Sequence, residues 1–213
     1  MTNFEKEFFR KHDTEVLAVL AVSTVGIAGA GGLGSNAAAA LARAGMGRLI
    51  VADFDVVEPP DLNRQYYFVE QIGRPKVEAL RENLNRMNPF VKVETHAVKV
   101  APDNIAALFG PADLLIEAFD LAEEKQMLIE SWLRLFPDRP LIVASGLAGY
   151  GDNAAIRQRS LGRLYIVGDE ASECDVGTAP MAPRVALVAA MQANLAVELL
   201  VRAKTRGGSS CSK

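Results

Sequence analysis

Asp53, Asp61, Arg64, Gln65, Lys76 and Asp120 form a set suited to a polyphosphate. Arginine can grip phosphate oxygens through two parallel N–H bonds, lysine supplies a point charge, and a carboxylate can hold a magnesium ion. Upstream stands a glycine turn, Gly29-Ala30-Gly31-Gly32-Leu33-Gly34. Gly29 permits the tight turn, Gly31 lets a ligand approach the backbone, and Gly34 lets helix and strand pack closely. Amides at the start of the next helix would face the anion. Asp53 falls nineteen positions after Gly34, where an acid at a strand end can accept hydrogen bonds from a ribose. Enzymes that move phosphoryl or nucleotidyl groups stabilise spreading negative charge with such a set; a hydride transfer has no need of Arg64 and Lys76.

These side chains need a frame, and the hydrophobic pattern supplies one. Residues 4–20 read as one amphipathic helix, with Phe4, Phe8, Val16 and Leu20 as buried candidates. Strands are expected near 24–29, 48–53, 91–98, 113–118 and 141–145, and helices near 32–45, 75–87, 102–109 and 121–136. Residues 54–74 are mostly irregular, a length that in a compact domain marks a functional loop. The alternation predicts an α/β, Rossmann-like, doubly wound and mainly parallel sheet. Two short strands, 154–158 and 163–167, extend it, and a long helix over 182–204 closes the fold as a single domain of residues 1–204. The Gly/Ser-rich tail, 205–213, is expected to be disordered. In such a sheet the ligand lies beyond the carboxyl ends of the strands, where Asp53 and Asp120 fall.

The chain has 213 residues and a formal net charge of -3, so it carries no basic field for DNA and no polybasic patch for a membrane. Residues 16–42 lack charge over a length that spans a bilayer, but the glycines from Gly26 to Gly34, with Ser23, Thr24, Ser35 and Asn36, break it into a helix end, a strand and a turn. The two cysteines, Cys174 and Cys211, form neither a disulfide framework nor C-x-x-C pairs, which fits a reducing cytoplasm. No structural zinc is expected from two cysteines and two histidines. His12 and His96 lack partners at ligand spacing, and Trp132, beside Leu128, Leu133 and Leu135, reads as packing.

Several motifs stand in the order and spacing of a known superfamily. They are Gly29-x-Gly31-Gly32-Leu33-Gly34, Asp53-Phe54-Asp55, Leu62-Asn63-Arg64-Gln65, Gly73-x-Pro75-Lys76, Glu117-Ala118-Phe119-Asp120, Met181-Ala182-Pro183 and Gln192-Ala193. Across residues 24–200 the chain resembles the ThiF/MoeB/HesA group, bacterial relatives of ubiquitin-activating enzymes. Its length and Ala148-Gly149-Tyr150-Gly151-Asp152 are most similar to the compact second ThiF subfamily, assigned to adenylating the sulfur carrier ThiS in thiamine biosynthesis. The resemblance implies ATP over Gly29, Gly31, Gly32 and Gly34, with Asp53 on the ribose and Asp55 and Gln65 in the same site. It implies magnesium on Asp120, and Arg64 and Lys76 on the phosphates. The C-terminal glycine carboxylate of a ubiquitin-like partner would attack the α-phosphate, and the products would be an acyl-adenylate and pyrophosphate. The resemblance also implies a homodimer and a role for Cys174 in sulfur transfer; read as a residue, Cys174 lies between Glu173 and Asp175, which would raise its pKa. A small-molecule or tRNA-bound carboxylate is the alternative acceptor within the superfamily, and an NAD-dependent oxidoreductase the alternative outside it.

The chain departs from the family pattern in three places. Asp61 replaces the usual asparagine, adding negative charge near the triphosphate. Leu121 stands where asparagine often follows the magnesium aspartate. The two C-x-x-C zinc pairs of larger members are missing. Larger members send an N-terminal arginine into the partner subunit's site; Arg10 is the candidate here, at a spacing to Gly29 that is short for the task.

Overall fold

The computed structural model describes residues 2–172 and 178–208. Its elements in order are α1 (Asn3–Phe8), α2 (Thr14–Leu20), β1 (Thr24–Ala28), α3 (Gly32–Ala44), β2 (Arg48–Ala52), α4 (Lys76–Met87) and β3 (Lys92–His96). Then come α5 (Ile105–Phe109), β4 (Leu114–Glu117), α6 (Ala122–Leu135), β5 (Leu141–Ala144), β6 (Arg157–Leu161), β7 (Leu164–Gly168) and α7 (Ala182–Gly208). The strands form one sheet in the order β3-β2-β1-β4-β5-β7-β6, parallel except for the antiparallel β6–β7 pair. The chain winds outward from β1 to β3, then restarts at β4 on the other side of β1. That reversal opens a crevice above the carboxyl ends of β1 and β4.

Alternation along each strand builds two cores. Val25, Ile27, Leu49, Val51, Leu114 and Ile116 face α3, α4 and α7, whereas Ile50, Leu115, Leu141 and Val143 face α5 and α6. Each Ile or Leu buried this way contributes roughly 1.5–3 kcal/mol. Gly26 points to the second face, where a Cβ would come within 2.9 Å of both Leu115 and Phe109. Small residues of α3 (Ala37, Ala38, Ala42) let α7 approach closely, so α3 and α7 pack side by side over β1.

Several boundaries differ from the sequence reading. The 4–20 region is two helices, because the Asp13 carboxylate accepts the amides of Glu15 (2.9 Å) and Val16 (3.0 Å) and starts a new one. Phe9 rather than Phe4 is the buried aromatic; Phe4 is 61% exposed and rests on Phe8 and Phe90. The first C-terminal strand begins three residues later than expected, since residues Asn153–Ala155 form a 3-10 turn. The last helix runs on to Gly208, and residues 209–213 lie outside the described residues. Residues 16–42 divide among α2, β1 and α3. In α7 the stretch Ala182–Lys204 is apolar enough to cross a membrane, with mean hydropathy 1.5, but half of its apolar window is buried inside the fold, as for a core helix. Trp132 is buried, His12 Nε2 lies 3.0 Å from the Arg43 carbonyl oxygen, and His96 Nε2 lies 3.0 Å from Glu94.

Candidate nucleotide site

The glycine turn leaves β1 with Gly29 at φ +101°, where a Cβ would also come within 2.7 Å of the Ala118 carbonyl oxygen. At Gly34 a Cβ would fall 1.9 Å from the Gly29 carbonyl oxygen, so this glycine is needed for packing and does not line the cleft. Gly31 and Gly32 do line it. Gly31 carries no side-chain cap for α3, leaving the first amides of a 13-residue helix open to an anion.

The irregular 54–74 loop is closed at its neck. Val57 N–H bonds the Arg74 carbonyl (2.9 Å), Gly73 N–H bonds Val57 (2.8 Å), and Lys76 N–H bonds Asp55 (2.9 Å). Its inner half is tied to the glycine turn by the first turn of α3. Asn36 donates to the carbonyls of Gly32 (2.7 Å) and Arg64 (2.9 Å), and the Ser35 hydroxyl bridges Gly31 and Tyr66. The buried Tyr67 hydroxyl donates to the Ala30 carbonyl at 2.7 Å. Three neighbours of the turn thus hold Arg64 over Gly32, whose Cβ position lies 3.7 Å from the arginine side chain.

The resulting cleft has a volume of about 960 Å³. Gly29, Gly31, Gly32, Asp53, Asp55, Asp61, Arg64, Gln65, Lys76 and Asp120 all line it, so among the described candidate site residues only Gly34 stands apart. Cys174 lies outside the described residues. Arg10 pairs with Glu7 on the surface at 2.8 Å, 66% exposed, and takes no part in the cleft.

Asp53 Oδ2 accepts the Ala30 amide at 2.6 Å and Oδ1 accepts the Asp55 amide at 2.8 Å. Burial raises its pKa, although both amides and Lys76 pull the other way. Lys76 is 7% exposed, 3.0 Å from Asp55 and 3.6 Å from Asp61. Burial pulls its pKa down, but the Asp55 hydrogen bond and the charges of Asp53, Asp55 and Asp61 outweigh this and raise it. Asp61 caps its own 3-10 turn by accepting the Glu58 amide (3.0 Å), and accepts Gln65 Nε2 at 2.7 Å. A carboxylate only accepts, so Gln65 must turn its Nε2 to Asp61. Its buried Oε1 then has no partner among the described residues. Arg64 Nη1 bonds Pro60 O (3.0 Å) and Asn63 Oδ1 (2.9 Å), leaving donors of its fork unused.

Asp120 is exposed at the cleft and makes no hydrogen bond or ion pair among the described residues. Magnesium commonly takes one or two carboxylates plus phosphate oxygens, so Asp120 fits the expected ligand. Among the described residues no three His, Cys, Asp or Glu side chains gather at metal-binding spacing. Among the described residues seven acidic and four basic side chains line the cleft, so a triphosphate entering it would need to bring cations along.

Sequence reading overlooked several lining groups. Lys125 lines the cleft while both oxygens of the fully buried Glu117 hold it, at 2.8 and 3.1 Å. Burial raises the Glu117 pKa, opposed by Lys125 and by the Phe119 amide. Lys99 stacks on Phe54, 5.6 Å from the ring centroid. A far wall is formed by residues 144–147 and 170–172. Only the eight-residue spacing of Glu117 and Lys125 across a strand end offered a signal, and nothing marked it in advance.

A parallel sheet with a glycine turn at its switch point, an acid ending the second strand and cations above defines a Rossmann-like nucleotide-binding protein. The chain belongs to the ThiF family, which matches residues 6–209 and falls within the ThiF/MoeB superfamily of ubiquitin-activating-like adenylyltransferases. It is 30% identical over 175 residues to the molybdopterin-synthase adenylyltransferase of Escherichia coli K12, covering 78% of this chain and 68% of that protein. It is 36% identical over 115 residues to the adenylyltransferase and sulfurtransferase MOCS3 of Anopheles gambiae, covering 54% of this chain. That match spans only 26% of MOCS3, and similar matches span a fifth to a third of other curated relatives. Among solved structures, E. coli tRNA N6-threonylcarbamoyladenosine dehydratase, TcdA, in complex with AMP superposes with TM-score 0.85 at 22% identity. The match covers 96% of this chain and 98% of that one, a likeness of fold.

Proposed function

We propose that the protein activates a carboxylate by ATP-dependent adenylation. The observation that supports this most is the convergence of the glycine turn, Asp53, Arg64, Lys76 and an unpaired Asp120 on one cleft. Asp53 receives the ribose, while Arg64 and Lys76 neutralise the phosphates. Magnesium, when bound, would be held by Asp120 and would supply further charge neutralisation. The acceptor carboxylate attacks the α-phosphorus; a new P–O bond forms, the bond to the β-phosphate breaks, and pyrophosphate leaves with the electron pair. A carboxylate is already a usable nucleophile, so positioning and charge neutralisation carry the rate.

For the acceptor we infer a ubiquitin-like sulfur carrier ending in Gly-Gly, as in thiamine biosynthesis, in a cytoplasmic homodimer. The relatives named sulfur carrier protein adenylyltransferase and molybdopterin-synthase adenylyltransferase support the sulfur-carrier part of this reading. A tRNA-bound carboxylate is a second reading, favoured by the nearly full-length likeness to TcdA. The net charge of -3 weighs against a polyanionic acceptor.

ATP–pyrophosphate exchange tests both. Exchange that requires the intact Gly-Gly tail, and falls by about 10²–10³ in Arg64→Ala and Asp120→Ala, is the expected result. Exchange with modified tRNA alone selects the second reading. Thermal shift with NAD but not Mg-ATP would return the chain to the oxidoreductases. Cys174→Ser should keep exchange and lose sulfur transfer.

A further inference from the structure

The far wall of the cleft is built with unusual constraint. Glu170 N–H bonds the Ser145 carbonyl (2.9 Å) and Asp169 N–H bonds Gly146 (3.1 Å), stitching two loops into one wall. Contact is so close that a Cβ on Gly168 would lie 1.8 Å from the Ser145 oxygen. Glu170 adopts φ +57°, a left-handed conformation that a non-glycine residue keeps only where its surroundings impose it.

Arg159 Nε holds the Glu170 carboxylate at 2.7 and 2.8 Å, and further groups brace the wall from behind. Asp169 Oδ1 accepts the amides of Ala171 (2.8 Å) and Ser172 (2.7 Å), and the Ser172 hydroxyl accepts the Ala148 amide (3.1 Å). Asp169 Oδ2 pairs with Arg184 of α7, whose Nη1 reaches the Gly151 carbonyl at 2.5 Å. Arg184 and Asp169 are almost fully buried, at 6% and 8% side-chain exposure, and neither lines the cleft. Arg184 Nε is buried without a partner among the described residues. A buried ion pair with an orphaned donor is poor stabilisation, since apolar residues of similar volume do as well or better. Its forked geometry suits orientation: one guanidinium spans the loop at Gly151 and the loop at Asp169.

Every residue assigned to the nucleotide lies toward β1, β2 and the 54–76 loop, with Asp120 beyond β4. Residues 144–147 and 170–172 line the same cleft but are not among the residues assigned to the nucleotide, which leaves that side for a second substrate. We propose that Arg184 is a positioning residue for the acceptor side of the cleft: through Asp169 and Gly151 it sets the wall against which the acceptor chain end lies. This rests on the adenylation reading for its substrate, and on geometry alone for the wall.

Two measurements test it in the full chain. In ATP–pyrophosphate exchange with a Gly-Gly-tailed carrier, Arg184→Met should raise the acceptor KM about tenfold or more while the Mg-ATP Kd stays within about twofold. Arg184→Lys, which keeps the charge at Asp169 but loses the fork, should recover part of that loss. Should Arg184→Met not fold, Asp169→Asn carries the same expectation. A parallel loss of acceptor and nucleotide affinity, or no change in either, overturns the proposal. In amide hydrogen exchange without ligand, Ala148 and Ser172 should exchange at least about tenfold faster in the variant, with Gly29 and Ala30 unchanged. Equal protection overturns it. If the parent protein shows no pyrophosphate exchange with any acceptor, the adenylation reading falls with the substrate half of this inference. Hydrogen exchange then still decides whether Arg184 holds the wall.

Discussion

Asp53, which lines the cleft, and Asp169, which lies behind its far wall, are treated in opposite ways. At Asp53 burial outweighs two amide bonds and raises the pKa. At Asp169 burial also pushes the carboxyl up. There the amides of Ser172 and Ala171, the Ser172 hydroxyl and Arg184 together outweigh it and hold the pKa at about 2. The difference follows from use. At the β1–β2 end the shape comes from backbone, through Gly29 and Gly34, and part of the Arg64 fork is left available for a ligand. Across the sheet at β7 the charges are consumed internally, and shape comes from the ion pair itself. The nucleotide end keeps spare donors on Arg64 and shares Lys76 among neighbouring carboxylates; the wall commits Arg184 to one buried carboxylate and one carbonyl.

The strongest break would come at the backbone-built end. Gly34→Ala forces a Cβ against the Gly29 oxygen and should cost upwards of about 4 kcal/mol, read as a collapse of the urea midpoint. Lys76→Met leaves Asp53, Asp55 and Asp61 without their shared cation. Pyrophosphate exchange should fall by about 10²–10³, with weaker Mg-ATP binding measured by calorimetry.

Acid titration sharpens the contrast between the two aspartates. Asp169 has a lowered folded pKa, so the stability it contributes is present above the unfolded value of 3.8 and is lost as pH falls through about 2. Asp53 has a raised one, so its contribution is present below 3.8 and is lost as pH rises through the folded value. Urea midpoints should therefore separate parent and Asp169→Asn most near pH 6 and converge toward pH 2. Convergence in the other direction would show that Asp169 is not held ionised. The smallest effect belongs to Gly73→Ala at the loop neck: φ is +84° but no atom lies within 4 Å, so only backbone strain of about 1–2 kcal/mol is expected.

The nucleotide end was legible because its signals are local. Gly29 to Gly34, the apolar runs of β1 and β2 and the spacing to Asp53 each report on neighbours within one βαβ unit. The parallel, doubly wound class followed from the alternation of strands and helices, whereas the strand order came from the structure. What escaped had both local and non-local causes. Residues 4–20 read as one helix because their apolar spacing persists through the break, while Asp13 starts a second helix by capping its own amides. Phe4 and Phe9 both touch Phe90, but the Phe9 ring also packs at Gly45, distant in sequence, 3.2 Å from that residue's Cβ position.

By itself the sequence determined a Rossmann-like sheet, the family and the groups gathered at the switch point, since glycine conformation, period-two burial and strand-end carboxylates are local consequences of residue type. Tertiary structure alone decided the pairing of Lys76 with Asp55 and Asp61, the Glu117–Lys125 pair and the Arg184–Asp169 clasp. Each joins elements brought together only when helices pack over the sheet, and a charge in sequence carries no mark of the partner that burial will give it.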